Sequence, residues 1–103
     1  MTTSGYVAIW EFRVRPESKC VFEETYGSTG AWAQLFHRSP DYLGTELLRD
    51  LDRPGRYLTV DHWTSREALR RFKEDHHADY AELDKRCESL TAGEVFLGDF
   101  EQV

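Results

Sequence analysis

The sequence predicts an α+β fold: a split β-α-β arrangement with a four-stranded antiparallel sheet and its helices on one face. Three observations lead there. The chain reads strand–helix–strand twice over. Its long second helix opens directly after the phrase Asp61-His62-Trp63-Thr64-Ser65. Its strands carry apolar side chains on both faces, more than helices on one side can cover.

Tyr6 to Val14 is rich in β-branched and aromatic residues and ends at Arg15-Pro16, which makes it the first strand. Tyr6, Ala8, Trp10 and Phe12 share one face, and Val7 and Ile9 take the other. Pro16 opens a helix, at a position where an N–H is not needed. That helix carries Val21, Phe22 and Tyr26 and breaks at Gly27-Ser28-Thr29-Gly30. A short helical piece follows with Trp32, Leu35 and Phe36 on one side, stopped by Ser39-Pro40.

Leu43 to Leu51 reads as the second strand, Asp52-Arg53-Pro54-Gly55 as a turn and Arg56 to Trp63 as the third strand. Thr64, with Glu67 three residues on, forms a capping box for the long helix. Along that helix Leu69, Phe72, His76, Tyr80, Leu83, Cys87 and Leu90 recur at steps of three and four, a stripe aimed at the sheet. A kink is expected between Asp75 and Asp79, where helix formers are weak. Thr91-Ala92-Gly93 ends the helix. Glu94 to Glu101 is the last strand, with Val95 and Leu97 expected on one face and Phe96 and Phe100 on the other. Right-handed crossovers interlock two such halves into one sheet.

The length of 103 residues fits a single domain over residues 1–103. A net charge of −6 without a basic block argues against nucleic acid, whose phosphates need a positive stripe. No apolar run reaches the roughly 20 residues of a membrane span. Met1-Thr2-Thr3-Ser4-Gly5 lacks the basic start and apolar run of a signal peptide, and Cys20 and Cys87 are isolated. Together these point to a cytoplasmic protein with reduced thiols. The uncovered sheet face points to a homodimer.

Aromatic residues make up 14% of the chain, enough to wall a pocket. Trp10, Phe12, Trp32, Phe36, Trp63 and Phe72, with Tyr80 on the helical stripe, are the candidate substrate-binding residues; their alternative role is to fill the core. His76 interrupts the apolar stripe, so its imidazole is expected to point into a cavity between sheet and helices as a catalytic base. The alternative is a core histidine bonded to Tyr26, Tyr57 or a backbone carbonyl. His77 is turned outward by about 100°. Asp61, beside Trp63 on the third strand, is expected to pair with an arginine across the sheet. No metal site is expected: His76, His77 and Asp79 are close in sequence, but neighbouring helical residues diverge and no i, i+4 histidine pair exists.

Several segments in this order resemble the antibiotic biosynthesis monooxygenase family. They are Tyr42-Leu43-Gly44-Thr45-Glu46-Leu47-Leu48 after Ser39-Pro40, Trp63 followed by Thr64-Ser65, Phe72, the Tyr80–Leu83 pair, and Glu94-Val95-Phe96-Leu97-Gly98-Asp99-Phe100. The resemblance runs from about Tyr6 to Phe100. It implies a ferredoxin-like subunit that joins its sheet to a partner's in a dimeric α/β barrel, with a hydrophobic cavity in each subunit. It also implies one of several activities: oxidation of polycyclic phenols or quinols without metal or flavin, or haem degradation. The haem-degrading members use an Asn late in the first strand and a Trp and His on the second long helix. This chain contains no asparagine; Phe12 and Phe72 fall at the Asn and Trp positions and Glu82 near the axial ligand.

Residues and resemblance together lead to the expectation of a monooxygenase that needs no cofactor and oxidises a small phenolic or quinol-like aromatic. The alternatives are a dimeric small-molecule binding protein without catalysis and a purely structural assembly partner.

Overall fold

The computed structural model describes residues 5–103. The reading of the N-terminus as lacking a signal sequence falls mainly on residues 1–4, outside the described residues. The elements are β1 (Tyr6–Arg13), α1 (Lys19–Tyr26), α2 (Ala31–Phe36), β2 (Tyr42–Arg49), β3 (Arg56–Trp63), α3 (Arg66–Asp75), α4 (His77–Cys87) and β4 (Gly93–Glu101). The sheet order is β2-β3-β1-β4, with every neighbouring pair antiparallel. This is the expected ferredoxin-like α+β fold.

Boundaries moved where side chains competed for the backbone. Pro16 opens a single 3₁₀ turn, Pro16–Ser18, before α1 begins. Strand β2 stops at Arg49 because the Asp50 carboxylate accepts the N–H groups of Asp52 and Arg53 at 2.8 and 3.0 Å and starts the hairpin turn there. The cap of the long helix is Ser65, not Thr64: its Oγ accepts the Ala68 N–H at 3.1 Å. Glu67 does not reach back to close a capping box but pairs with Arg70.

The expected kink is a full break. His76 sits at φ −118°, ψ 32°, outside helical geometry, and separates α3 from α4. The Tyr80 N–H still finds the His76 carbonyl at 2.9 Å, so the chain resumes its helix after the turn.

Both edge strands carry a bulge. Tyr42 opposes Trp63 and Gly44 opposes His62, which leaves Leu43 as an extra residue in β2. On β4, Gly98 opposes Ile9 and Phe96 opposes Trp10, which leaves Leu97 extra. Gly44 at φ 138° and Gly98 at φ 139° supply the backbone that only glycine adopts freely. The β4 bulge corrects the expected alternation. Phe96 turns to the helix side, 5.1 Å from the Trp10 ring, whereas Phe100 stands opposite Val7 on the open face.

The core lies between the sheet and the helices, with Trp63, Tyr57 and Phe22 sealed from solvent. A chain of ring contacts runs Phe12–Tyr26, Tyr26–Trp32, Trp32–Phe36 and Phe36–Trp63, with centroids 4.9 to 6.1 Å apart, inside the range of favourable aromatic pairing. The opposite face, holding Val7, Ile9, Leu58, Val60, Val95 and Phe100, has no helix over it among the described residues. Val95 and Phe100 each remain 54% exposed there. Among the described residues no helix is long and apolar enough to cross a membrane. Cys20 is exposed and Cys87 buried, both as free thiols.

Candidate functional site

The aromatic core is not completely filled. A cavity of about 220 Å3 opens between sheet and helices, with Trp10, Phe12, Tyr26, Trp32, Phe36 and Tyr80 as its aromatic walls. Thr45, Thr59, Asp61, Lys73, Asp84 and Glu94 supply its polar groups. A neighbouring hollow of about 200 Å3 shares Trp10, Phe36, Asp61, Lys73 and Tyr80 and extends past Phe96. An apolar wall with few convergent polar groups is the usual make-up of a small-molecule site.

Strand alternation aims the sheet residues. Thr59 and Asp61 lie on the same face of β3 as Tyr57 and Trp63, and pair with Trp10 and Ala8 of β1. Thr45 reaches that face because the Leu43 bulge has shifted β2 by one residue. Lys73 comes from α3, Tyr80 and Asp84 from α4, and Glu94 from the start of β4.

Of the sequence-predicted binding residues, Trp10, Phe12, Trp32, Phe36 and Tyr80 line the cavity. Trp63 and Phe72 do not. Their rings pack 5.3 Å apart behind Phe36, which meets both edge-on, and they belong to the supporting core. The expectation that His76 points into the cavity is not met. At the break between α3 and α4 its half-buried ring lies 4.7 Å from Phe72, and it lines neither hollow. The backbone of His76 itself is the physical reason: at φ −118°, ψ 32° its side chain leaves the helical stripe, while Tyr80, Leu83 and Cys87 beyond the break stay on it. The alternative, a ring bond to Tyr26, Tyr57 or a backbone carbonyl, is not made either among the described residues; Tyr57 donates to Glu23.

Asp61 is the residue the sequence reading placed wrongly. It meets no arginine. Its Oδ1 accepts the Thr45 hydroxyl at 2.6 Å, and Thr45 in turn accepts the Tyr42 hydroxyl at 2.5 Å. Burial pushes the Asp61 carboxyl up to about 6; the Thr45 hydrogen bond and the charges of His62 and Lys73 offset part of the shift. Period-two alternation with Tyr57 and Trp63 was the signal that could have aimed it into the cavity.

Glu94, Tyr80 and Tyr26 are shifted in the same direction. Burial raises the Glu94 carboxyl, with Asp84 adding like-charge repulsion. Burial also lifts the Tyr80 phenol to about 12, helped by Asp84, Asp61 and Glu94, and pushes the Tyr26 phenol up further. Lys73 is the one cation lining the cavity among the described residues, and its Nζ sits 5.4 Å from the Tyr80 ring centre. The Trp32 Nε1 is buried without a partner among the described residues. The site can therefore accept a proton at one carboxylate, hold a flat ring between aromatic faces and offset a negative charge at one ammonium. No group of three metal-ligating side chains occurs among the described residues.

Comparison with known proteins agrees with this fold. A family model for antibiotic biosynthesis monooxygenases matches residues 5–83. No curated protein sequence matches the chain. Among solved structures, SnoaB, a cofactor-independent oxygenase from Streptomyces nogalater, superposes with a TM-score of 0.65 at 23% identity, covering 94% of this chain and 91% of that one. A conserved protein from Methanosarcina mazei Go1 gives 0.71 at 10% identity, covering 98% and 95%. At such identities the likeness is one of fold. A variant of MhuD with two manganese protoporphyrin IX molecules bound per active site gives 0.67 at 26% identity, covering 95% and 92%.

Proposed function

Because the chain belongs to the antibiotic biosynthesis monooxygenase family, we propose that it is a monooxygenase that oxidises a small phenolic or quinol-like aromatic in the sheet–helix cavity without metal or flavin. The observation that carries this reading is the cavity: aromatic on most sides, with the half-buried Asp61 carboxylate and, among the described residues, a single ammonium. An electron-rich phenol can supply the electrons itself once deprotonated. For an anthrone the balance is simple. One methylene becomes a carbonyl, its four electrons reduce O2, one oxygen atom enters the product and the other leaves as water.

The protein's share of this chemistry is positioning, desolvation and charge. Trp10, Phe12, Trp32, Phe36 and Tyr80 would hold the ring in a fixed plane, which converts an encounter with O2 into a reaction of a prepared complex. Packing the open sheet face against a second copy completes the homodimer and removes the exposed apolar surface from water.

A porphyrin is the other ligand a similar structure holds. The residues here do not fit it. All four histidines, His37, His62, His76 and His77, lie off the cavity lining, and Asp61, Asp84 and Glu94 would meet the porphyrin's own carboxylates with like charge.

The test is oxygen uptake by the purified protein with a panel of anthrones and hydroquinones, after exhaustive treatment with a chelator. Turnover with incorporation of one atom of labelled O2 into the product supports the reading. Saturable quenching of tryptophan fluorescence by the same compounds without oxygen consumption selects the non-catalytic binding protein instead.

A further inference from the structure

The cavity holds a base and a counter-charge in one place. Asp61 and Lys73 line both hollows, so the two groups face the boundary they share. The Asp61 Oδ1 is occupied by Thr45, and Oδ2 has no partner among the described residues. Lys73 lies on α3, across the cavity from β3, and Trp10, Phe36 and Tyr80 border both hollows beside them. A flat ring among these aromatics has room for one polar substituent between carboxylate and ammonium.

We propose that Asp61 is the base that takes the phenolic proton of the bound aromatic and that Lys73 holds the phenolate so formed. The step is a proton transfer only: the phenolic O–H bond breaks, the proton goes to Asp61 Oδ2, and the electron pair stays on the substrate oxygen beside the Lys73 ammonium. This rests on the reading of the cavity as a phenol site, and it names the group that activates the substrate there.

Other groups fit the task less well. Tyr26 and Tyr80 are held protonated by burial and can only donate. Asp84 and Glu94 stand exposed at the rim. His76 does not face the cavity. A carboxyl raised toward neutrality is a stronger base than an ordinary aspartate, and the hydrogen bond from Thr45 fixes its orientation. Its titration is set by everything that faces it: Thr45 on β2, His62 beside it on β3, Lys73 on α3, Tyr80 and Asp84 on α4, and Glu94 and Asp99 on β4.

The ionisation of bound 4-nitrophenol tests the pairing directly, since the absorbance of this probe separates phenol from phenolate and needs no oxidation. In the unaltered protein, Asp61 accepts the probe's O–H and opposes a second negative charge. Asp61→Asn should therefore let the bound probe ionise at a pH at least one unit lower, and Lys73→Gln should shift it upward. If Asp61→Asn leaves the ionisation where it was, or the probe does not bind saturably, the assignment is overturned. Where an oxidised substrate is found, Asp61→Asn should lower turnover by about 10²–10⁴-fold, the usual worth of a general base, with His76→Ala close to the parent protein. Loss of turnover in every variant and in the parent protein, with the probe shifts intact, would count against the oxidation and leave the base assignment standing.

Discussion

The Thr45 hydroxyl donates to Asp61 Oδ1 at 2.6 Å while accepting the Tyr42 hydroxyl at 2.5 Å, so a buried phenol, an alcohol and a carboxylate form one line that ends at the cavity. Replacing Thr45 with valine keeps the shape and removes the middle of that line. The Tyr42 side chain, only 5% exposed, is left without an acceptor, which costs about 1–3 kcal/mol. Asp61 loses the donor that favours its charged form, so its carboxyl should titrate above the present value of about 6. Carboxyl carbon NMR across a pH series reads this shift. An unmoved Asp61 resonance in Thr45→Val would show that the hydrogen bond does not act on the carboxylate.

Asp61 also makes the fold depend on pH. Its carboxyl rises from 3.8 to about 6 on folding, chiefly through burial. Below about pH 4 it is neutral in both the folded and unfolded chain, and the neutral form is fully favourable. As pH climbs through 6, the folded protein must ionise a desolvated group that the unfolded chain ionises more readily, and stability is lost. Asp61→Asn should therefore be more stable than the parent at pH 8, by about 1–3 kcal/mol once screening through the open cavity is allowed for. The advantage should vanish near pH 4. Urea unfolding at the two pH values gives the comparison, and an Asn variant that is no more stable at pH 8 would contradict a desolvated, charged Asp61. Such a gain is what a functional group kept at the expense of stability predicts.

Much of the fold was legible in the sequence because strands and turns here obey local rules. The hairpin Asp52-Arg53-Pro54-Gly55 and the two-sided apolar strands fixed the sheet, and the weak helix formers near Asp75 marked the break. The aromatic wall was legible too, at Trp10, Phe12, Trp32, Phe36 and Tyr80. The polar half of the site was not. The helical stripe predicts Tyr80, Leu83 and Cys87 correctly but not His76, whose non-helical backbone at the break turns its ring out of the stripe. Thr45 was hidden by a bulge, which no period-two pattern anticipates, and Glu94 and Asp84 look like ordinary surface acids until β4 and α4 are brought together. The phrases Tyr42-Leu43-Gly44-Thr45 and Phe96-Leu97-Gly98-Asp99 are the visible trace of those bulges: aromatic, leucine, glycine, polar, once on each edge strand.

That repeated phrase gives a backbone prediction. Gly44 sits at φ 138°, and an added Cβ would meet nothing within 4 Å. Gly44→Ala therefore isolates the conformational cost from any clash, and it should lose about 1–3 kcal/mol of stability. The strain is relieved only if the bulge slips, which would turn Thr45 away from Asp61. Equilibrium denaturation together with the Asp61 titration separates the two effects. A change below about 0.5 kcal/mol, the size of an ordinary surface substitution, would mean that the bulge is not held by its glycine.

The open sheet face yields the last prediction. Val60 stands at its centre, paired with Ile9 on β1 and Glu46 on β2. The same face carries Arg56, bound to Glu11 at 3.0 Å and to Asp50 at 2.9 Å, with Arg13 3.7 Å from Glu11, so two cations meet two carboxylates within one subunit. The apolar remainder gains by leaving water, at about 25 cal/mol for each Å2 buried. Sedimentation should show the parent protein as a dimer at micromolar concentration. Val60→Glu puts a second carboxylate beside Glu46 in that contact and should shift the population to monomer, while the cavity on the other face of the sheet still binds 4-nitrophenol. A parent protein that sediments as a monomer would remove the paired-sheet arrangement, and Val95 and Phe100 would then have to be accounted for by a different partner.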